Sequence, residues 1–218
     1  MKEVKIKNSD RKYSVGKIVC VGKNYADHAK EMGGEVPEFP IIFLKPTSTL
    51  IYNGDSIIHP KYSEEMHHEV ELVLLIGEEV KSASDSEAEN AIIGYGVGLD
   101  MTLRDLQNKF KNEGTPWTLA KGFDTCAVIS DFISKDEYKL TGDEVIRLLK
   151  NGEPKQNSLV KKMIFSPRDI IKYISERMTL EPGDLIYTGT PAGVGKVERG
   201  DILKSSISNV AEIENKIL

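Results

Sequence analysis

Val70–Ile76 is the longest apolar run of the chain, interrupted only by Glu71. A run of seven residues rich in Val, Leu and Ile reads as a strand buried on both faces. Directly before it stands His67-His68-Glu69. Alternation along a strand puts Glu69 and Glu71 on one face, about 7 Å apart, with Val70, Leu72, Leu74 and Ile76 on the other. Beyond Glu71 the acid face continues as Val73 and Leu75, so two carboxylates head a core strand. Like charges so placed cost energy unless something positive lies between them. A hard divalent cation with oxygen ligands is the natural occupant. The other reading of Glu-x-Glu is an exposed strand end with solvated acids. His67 shares the acid face, either as a further ligand or as an ordinary turn histidine.

The chain has 218 residues, which fits a single domain spanning 1–218. Lys+Arg 29 against Asp+Glu 34 leaves a net charge of −5. That argues against a nucleic-acid partner, whose footprint is a basic stripe. No apolar run approaches the ~18 residues of a membrane span, and Met1-Lys2-Glu3 opens a charged segment with no apolar signal region behind it. Cys20 and Cys126 lie in apolar runs without a CxxC partner, as expected of buried thiols in a reducing compartment. The expectation is a cytoplasmic protein.

Gly54-Asp55, Gly183-Asp184 and Gly200-Asp201 each lead into apolar residues, the pattern of a turn feeding a strand. Asn151-Gly152 reads as a hairpin turn. Strands are expected near 17–22, 41–45, 57–59, 67–77, 93–99, 126–129, 145–158, 184–188 and 202–208. Ser166-Pro167-Arg168-Asp169 opens a capped helix with an Ile170, Ile171, Ile174 and Met178 stripe, stopped by Glu181-Pro182-Gly183. A second helix should follow Asp100, on Leu103, Leu106 and Phe110, and a short one should run from Tyr25 to Met32, ended by Gly33-Gly34. Many strands with helices in no strict βαβ alternation predict an α+β, β-rich fold.

Gly94, Gly96 and Gly98 alternate along the strand that ends at Asp100, as suits a strand closely approached by a backbone or a ligand. Asp100 is either a functional carboxylate or the N-cap of the following helix. On that helix Arg104 and Gln107 share a face, either to hold a carboxylate or carbonyl or to meet solvent.

Six segments, in order, resemble the fumarylacetoacetate hydrolase family, in particular its short acylpyruvate hydrolase-like members. They are Gly22–Glu31, Phe43–Pro46, His68–Leu72, Asp100–Gln107, Trp117–Lys121 and Thr188–Gly195. The resemblance covers roughly 16–208 and lacks the long N-terminal domain of larger relatives. It implies a mixed sheet rolled into a distorted barrel with peripheral helices, and a homodimer. It implies that Glu69, Glu71 and Asp100 bind Mg²⁺, with Mn²⁺ or Ca²⁺ as alternatives, and that His28 and Glu31 form a general-base pair. Their spacing agrees, since residues three apart on a helix share a face. Lys121 matches the active-site lysine, and Lys45, Arg104, Gln107, Gly189 and Thr190 match substrate-contacting positions. The Thr188–Gly195 turn, by itself an ordinary β-turn loop, offers backbone N–H groups to a carboxylate or oxyanion.

The implied activity is metal-dependent hydrolysis of a C–C bond in a 2,4-dioxo acid, such as fumarylpyruvate or acetylpyruvate, giving pyruvate and a carboxylic acid. A base held by Glu31 would activate the water, and Lys121 would stabilise the oxyanion or protonate the leaving carbon. An oxaloacetate-type decarboxylase (a lyase) and a 2-hydroxyhepta-2,4-diene-1,7-dioate isomerase need the same metal and have less use for an activated water. A non-catalytic metal- or ligand-binding protein is the reading from outside the enzyme class. Gly33-Gly34 and the following Glu35–Pro40 look like a hinge and a flexible segment, so 26–38 are expected to close over substrate as a lid.

Overall fold

The structure is a computed structural model that describes residues 2–218. At its centre lies Val70–Ile76, all seven residues buried. The mixed sheet around it runs Ile41–Lys45, Ile18–Gly22, Leu185–Tyr187, Val70–Ile76, Ile92–Asp100, Ala127–Ile129, Leu50–Tyr52, with Ile133–Ser134 added beside Ile92–Asp100. Leu185–Tyr187 is parallel to Ile18–Gly22, and Ala127–Ile129 to Leu50–Tyr52; the other pairs are antiparallel. The sheet curls into a half-barrel with few helices outside it.

Alternation holds as the sequence predicts. Val70, Leu72, Leu74 and Ile76 face the larger core, whereas Val73 and Leu75 face the smaller one with Cys20, Phe132 and Tyr187. An antiparallel sheet of Glu153–Leu159, Val145–Lys150, Ile202–Ile207 and Ala211–Lys216 closes the larger core with Ile146, Leu148, Leu203, Ile207 and Ile213. A third sheet of Gly195–Lys196, Met66–His68 and Thr102–Leu103 caps the end of the barrel where the acids lie. The expected 67–77 strand is therefore two strands broken at Glu69, because Met66–His68 pairs outside the main sheet. Both thiols are buried, and no helix among the described residues is long and apolar enough to cross a membrane.

The helix at Pro167–Ser175 has its capping box at Ser166 and Asp169 and buries Ile170, Ile171 and Ile174; it ends before Met178. It packs on Asp85–Ala91, a helix the periodicity does not reveal, whose own capping box is Ser84 and Glu87. The helix after Asp100 starts only at Arg104, since Thr102–Leu103 is drawn into the third sheet. At 57–59 there is no strand. Ile57 makes an isolated bridge to Ile217, and Pro60, lacking an N–H, follows too soon to extend a ladder. Leu50–Tyr52 supplies that edge instead.

The three Gly-Asp pairs form one repeated turn. In each, the aspartate N–H donates to a carbonyl three residues back, and its carboxylate accepts from that same residue's N–H: Tyr52 with Asp55, Glu181 with Asp184, Glu198 with Asp201. The intervening Gly54, Gly183 and Gly200 have φ of 87°, 94° and 97°, the sign a type II turn demands. A Cβ on Gly183 would lie 2.0 Å from the Ser14 carbonyl oxygen, whereas one on Gly54 meets nothing within 4 Å. Gly54→Ala should then cost about 1–2 kcal/mol of backbone strain, and Gly183→Ala clearly more. Urea midpoints at unchanged slope measure both, and equal losses would refute the close-approach account.

Candidate active site

Ile92–Asp100 runs antiparallel to Val70–Ile76 with Glu71 opposite Gly98 and Val70 opposite Leu99. That register brings Asp100 beside Glu69, and the Asp100 N–H donates to the Glu69 carbonyl at 2.9 Å. The glycines of this strand make room for rings: a Cβ on Gly96 would crowd Phe132, and one on Gly98 would lie 2.7 Å from Tyr187. Glu69, Glu71 and Asp100 are all buried, and one carboxylate oxygen from each lies within 4.8 Å of the others. The break at Glu69 makes the acids converge. Asp100 does not cap the next helix, whose N-cap, Leu103, makes no side-chain bond.

Three cations surround the acids. Lys121 closes the short Thr118–Lys121 helix, and its ammonium donates to Glu69 Oε2 (2.8 Å), Asp100 Oδ2 (2.7 Å) and Thr102 Oγ1 (2.6 Å). It also lies 4.8 Å from the Phe43 ring centre. All three of its protons are taken, so none is left for an oxyanion. Arg104 pairs with Glu69 Oε1 and donates to Gln107 Oε1. Its Nε is buried without a partner. Gln107 therefore presents its amide N–H₂ to the cleft. Lys45 corrects its expected role as a substrate contact. Its ammonium is buried behind the acids, 2.7 Å from Asp100 Oδ1, and donates to the carbonyls of Met101 and Lys121. Gly189 is likewise turned inward, its N–H donating to Glu71 Oε2 at 2.7 Å.

The carboxylates are not alike. Burial opposes charge on Glu69, but Lys121, Arg104 and His28 outweigh it and hold its pKa well below the usual range. Burial, reinforced by Asp100 and Glu69, pushes Glu71 well above that range. Its hydrogen-bond partner is a backbone N–H, not a cation. A buried carboxylate whose hydrogen-bond partner is a backbone N–H, in an oxygen-only donor set with Glu69 and Asp100, fits a hard divalent cation.

His28 and Glu31 sit on the helix Ala26–Glu31. His28 is 4% exposed, its Nδ1 is 3.1 Å from Glu31 Oε2, and Glu31 also accepts from the Gly193 N–H at 3.0 Å. The pair is thus formed and docked, and beyond it the Gly34 N–H donates to the Ala29 carbonyl while Phe39 stacks on Tyr173. Thr190 lines the cleft with His28, the three acids, Arg104, Gln107 and Lys121. Its hydroxyl donates to the Val70 carbonyl at 2.8 Å, so it has no proton to offer a ligand. His67 stays outside the acid group; burial and Arg104 lower its pKa to about 4. Sequence reasoning missed Gln156 and Thr102, whose only signal is burial of a polar side chain.

The cleft is thus a buried acid triad at the ends of core strands, faced by a histidine–glutamate pair. The Fumarylacetoacetate (FAA) hydrolase C-terminal family model matches residues 17–218. The chain is 47% identical over 198 residues to a mitochondrial oxaloacetate tautomerase of Arabidopsis thaliana, covering 91% of this chain and 89% of that one. It is 45% identical over 195 residues to a mitochondrial oxaloacetate decarboxylase of Dictyostelium discoideum, covering 89% of each. The crystal structure of fumarylpyruvate hydrolase from Pseudomonas aeruginosa in complex with Mn²⁺ and pyruvate superposes with a TM-score of 0.96 at 35% identity, covering 100% of this chain and 95% of that one. With the family model spanning nearly the whole chain and relatives this similar, the protein belongs to the fumarylacetoacetate hydrolase family.

Proposed function

We propose that the protein moves a proton at the carbon beside the keto group of a dianionic 2-oxo acid of the oxaloacetate class, a keto–enol tautomerisation, with Mg²⁺ or Mn²⁺ at the acid triad. Charge balance carries the dianionic substrate class, which fumarylpyruvate also meets, and the likeness to oxaloacetate enzymes carries the choice of proton transfer over cleavage. Three carboxylates face three cations, Lys45, Lys121 and Arg104, so a divalent cation brings two uncompensated positive charges into a buried site. A dicarboxylate cancels both, whereas a monoanion leaves one, which is costly at low dielectric. The similarity to oxaloacetate enzymes at 45% and 47% identity supports the same substrate class.

A divalent cation would be held by Glu69, Glu71 and Asp100 and would supply Lewis-acid stabilisation of enolate charge. Glu31, an acceptor only, takes a hydrogen bond from His28 Nδ1–H and leaves Nε2 as the base that removes the proton from carbon and delivers it to the keto oxygen. Gln107 Nε2, left free by the Arg104 bond to Oε1, is the donor for the far carboxylate. Val21, Met32, Phe43 and Trp117 in the lining keep the proton on the histidine rather than in bulk water.

Hydrolysis of an acylpyruvate is the second reading, favoured by the likeness to fumarylpyruvate hydrolase and by a base pair able to activate water instead. Oxaloacetate enol–keto conversion and fumarylpyruvate cleavage, followed by absorbance at saturating Mg²⁺, separate the two. The expected result is a higher kcat/KM for tautomerisation and a loss of about 10²–10⁴ in His28→Ala. Faster cleavage of fumarylpyruvate would overturn the assignment in favour of hydrolysis.

The raised pKa of Glu71 makes a separate prediction. In the metal-free protein Glu71 is protonated at pH values where a free carboxyl is not, and the cation must displace that proton. Mg²⁺ affinity should therefore rise with pH, by up to about tenfold per unit while Glu71 is protonated. Calorimetry in buffers of different ionisation heat should count one proton released, and none in Glu71→Gln. Proton release unchanged in that variant would assign it to another group.

A further inference from the structure

Gln156 lies on the hairpin strand Glu153–Leu159, away from every motif of the site, yet it is fully buried. A β-bulge turns it inward. Leu148 pairs with Gln156 but the next residue, Leu149, pairs with Pro154, so Lys155 is the extra residue. The amide then makes four bonds. Oε1 accepts from the Val70 N–H and faces His68 Nδ1, each at 3.1 Å. Nε2 donates to Thr190 Oγ1 at 2.7 Å and to the Pro191 carbonyl at 2.8 Å. Because the Pro191 oxygen only accepts, the amide orientation is determined, and His68 must carry its proton on Nδ1.

The same bulge seats the end of that loop. Gly193 has φ +98°, and a Cβ there would lie 2.0 Å from the Lys155 carbonyl oxygen and 3.4 Å from Gln156 Cα. Only glycine fits against the bulge in this conformation. From that seat the Gly193 N–H reaches Glu31 Oε1. Gln156 and its bulge thus touch the loop at Thr190, Pro191 and Gly193, and the loop in turn touches the base pair.

We infer that Gln156 is a positioning residue: it sets the Thr190–Gly193 loop so that the Gly193 N–H orients Glu31, and through it His28. The inference rests on the proposed function only in taking His28 as the base. Gln156→Glu is the selective probe, since an ionised carboxyl still accepts from Val70 and His68 but donates to neither Thr190 nor Pro191, and a protonated one to one of them at most. In the full-length protein, amide hydrogen exchange at Gly193, read by NMR, should quicken roughly tenfold more than at amides remote from the loop, whatever the burial of the new carboxyl does to the melting temperature. The kcat of tautomerisation should fall about as much while KM changes less. Gln156→Met, losing all four bonds, should also lower the melting temperature. Thr190→Val breaks the same link from the loop side and should likewise quicken Gly193 exchange, so the test stands if Gln156→Glu does not fold. Gly193 protection unchanged in the folded variants would overturn the inference. Quickened exchange in a protein that acts on neither substrate would instead sustain it and defeat the proposed function.

Discussion

The Lys121 ammonium, clamped between Glu69 and Asp100 and closed off by Thr102, is the contact on which the site depends. A carboxylate taken out of water without a partner costs several kcal/mol, and removing one member of a buried pair typically costs about 3–5 kcal/mol. Much of the local architecture serves to meet that demand. The Thr118–Lys121 helix delivers the ammonium, Lys45 crosses behind to Asp100 and ties down the Lys121 carbonyl, and Arg104 takes the other oxygen of Glu69. Glu71 alone is left with a backbone donor. Glu69 and Asp100 each have cations in contact, and Glu71 is the one acid of the three without such a contact.

Glu69 and Glu71 could be paired in the sequence because a period of two is local, with Glu71 in line with Val73 and Leu75; Asp100 joined them, and His28 joined Glu31 as a base pair, only through the family resemblance. The break at Glu69 was not, since it is decided by pairing with Thr102–Leu103 and Gly195–Lys196, far away in sequence. Lys45 reads as the end of an apolar strand, and nothing local says that its ammonium turns toward Asp100 rather than the cleft. The Arg104 helix was placed too early because Leu103 satisfies both a helical stripe and an edge strand, and the third sheet wins. Gln156 was invisible: a glutamine two residues past Pro154 in a hairpin reads as a solvent-facing position, and only the bulge reverses that.

The two chemical halves of the site are held by different means. Glu71 and Asp100 ride on strands whose residues are buried on both faces, and Glu69 directly precedes the first of them, so their positions are set by the core. The base pair rides on a helix of six residues, too short to be stable alone. It is docked by contacts that include the Gly193 N–H to Glu31. A rigid charge-holding half and a separately anchored proton-handling half let the second be adjusted without disturbing the first.

That division bears on how one scaffold serves relatives described as a tautomerase, a decarboxylase and a hydrolase. All three reactions pass negative charge to an enolate, the common demand the acid half meets once its cation is bound. They differ in what the histidine must deprotonate: a carbon acid, nothing, or water. On the proposed reading, the choice among them does not lie in the triad, where an exchanged residue would unbalance buried charge. It lies in the mouth formed by Met32, Phe43, Trp117 and Gln107, which decides whether a water can stand beside His28 when the substrate is in place.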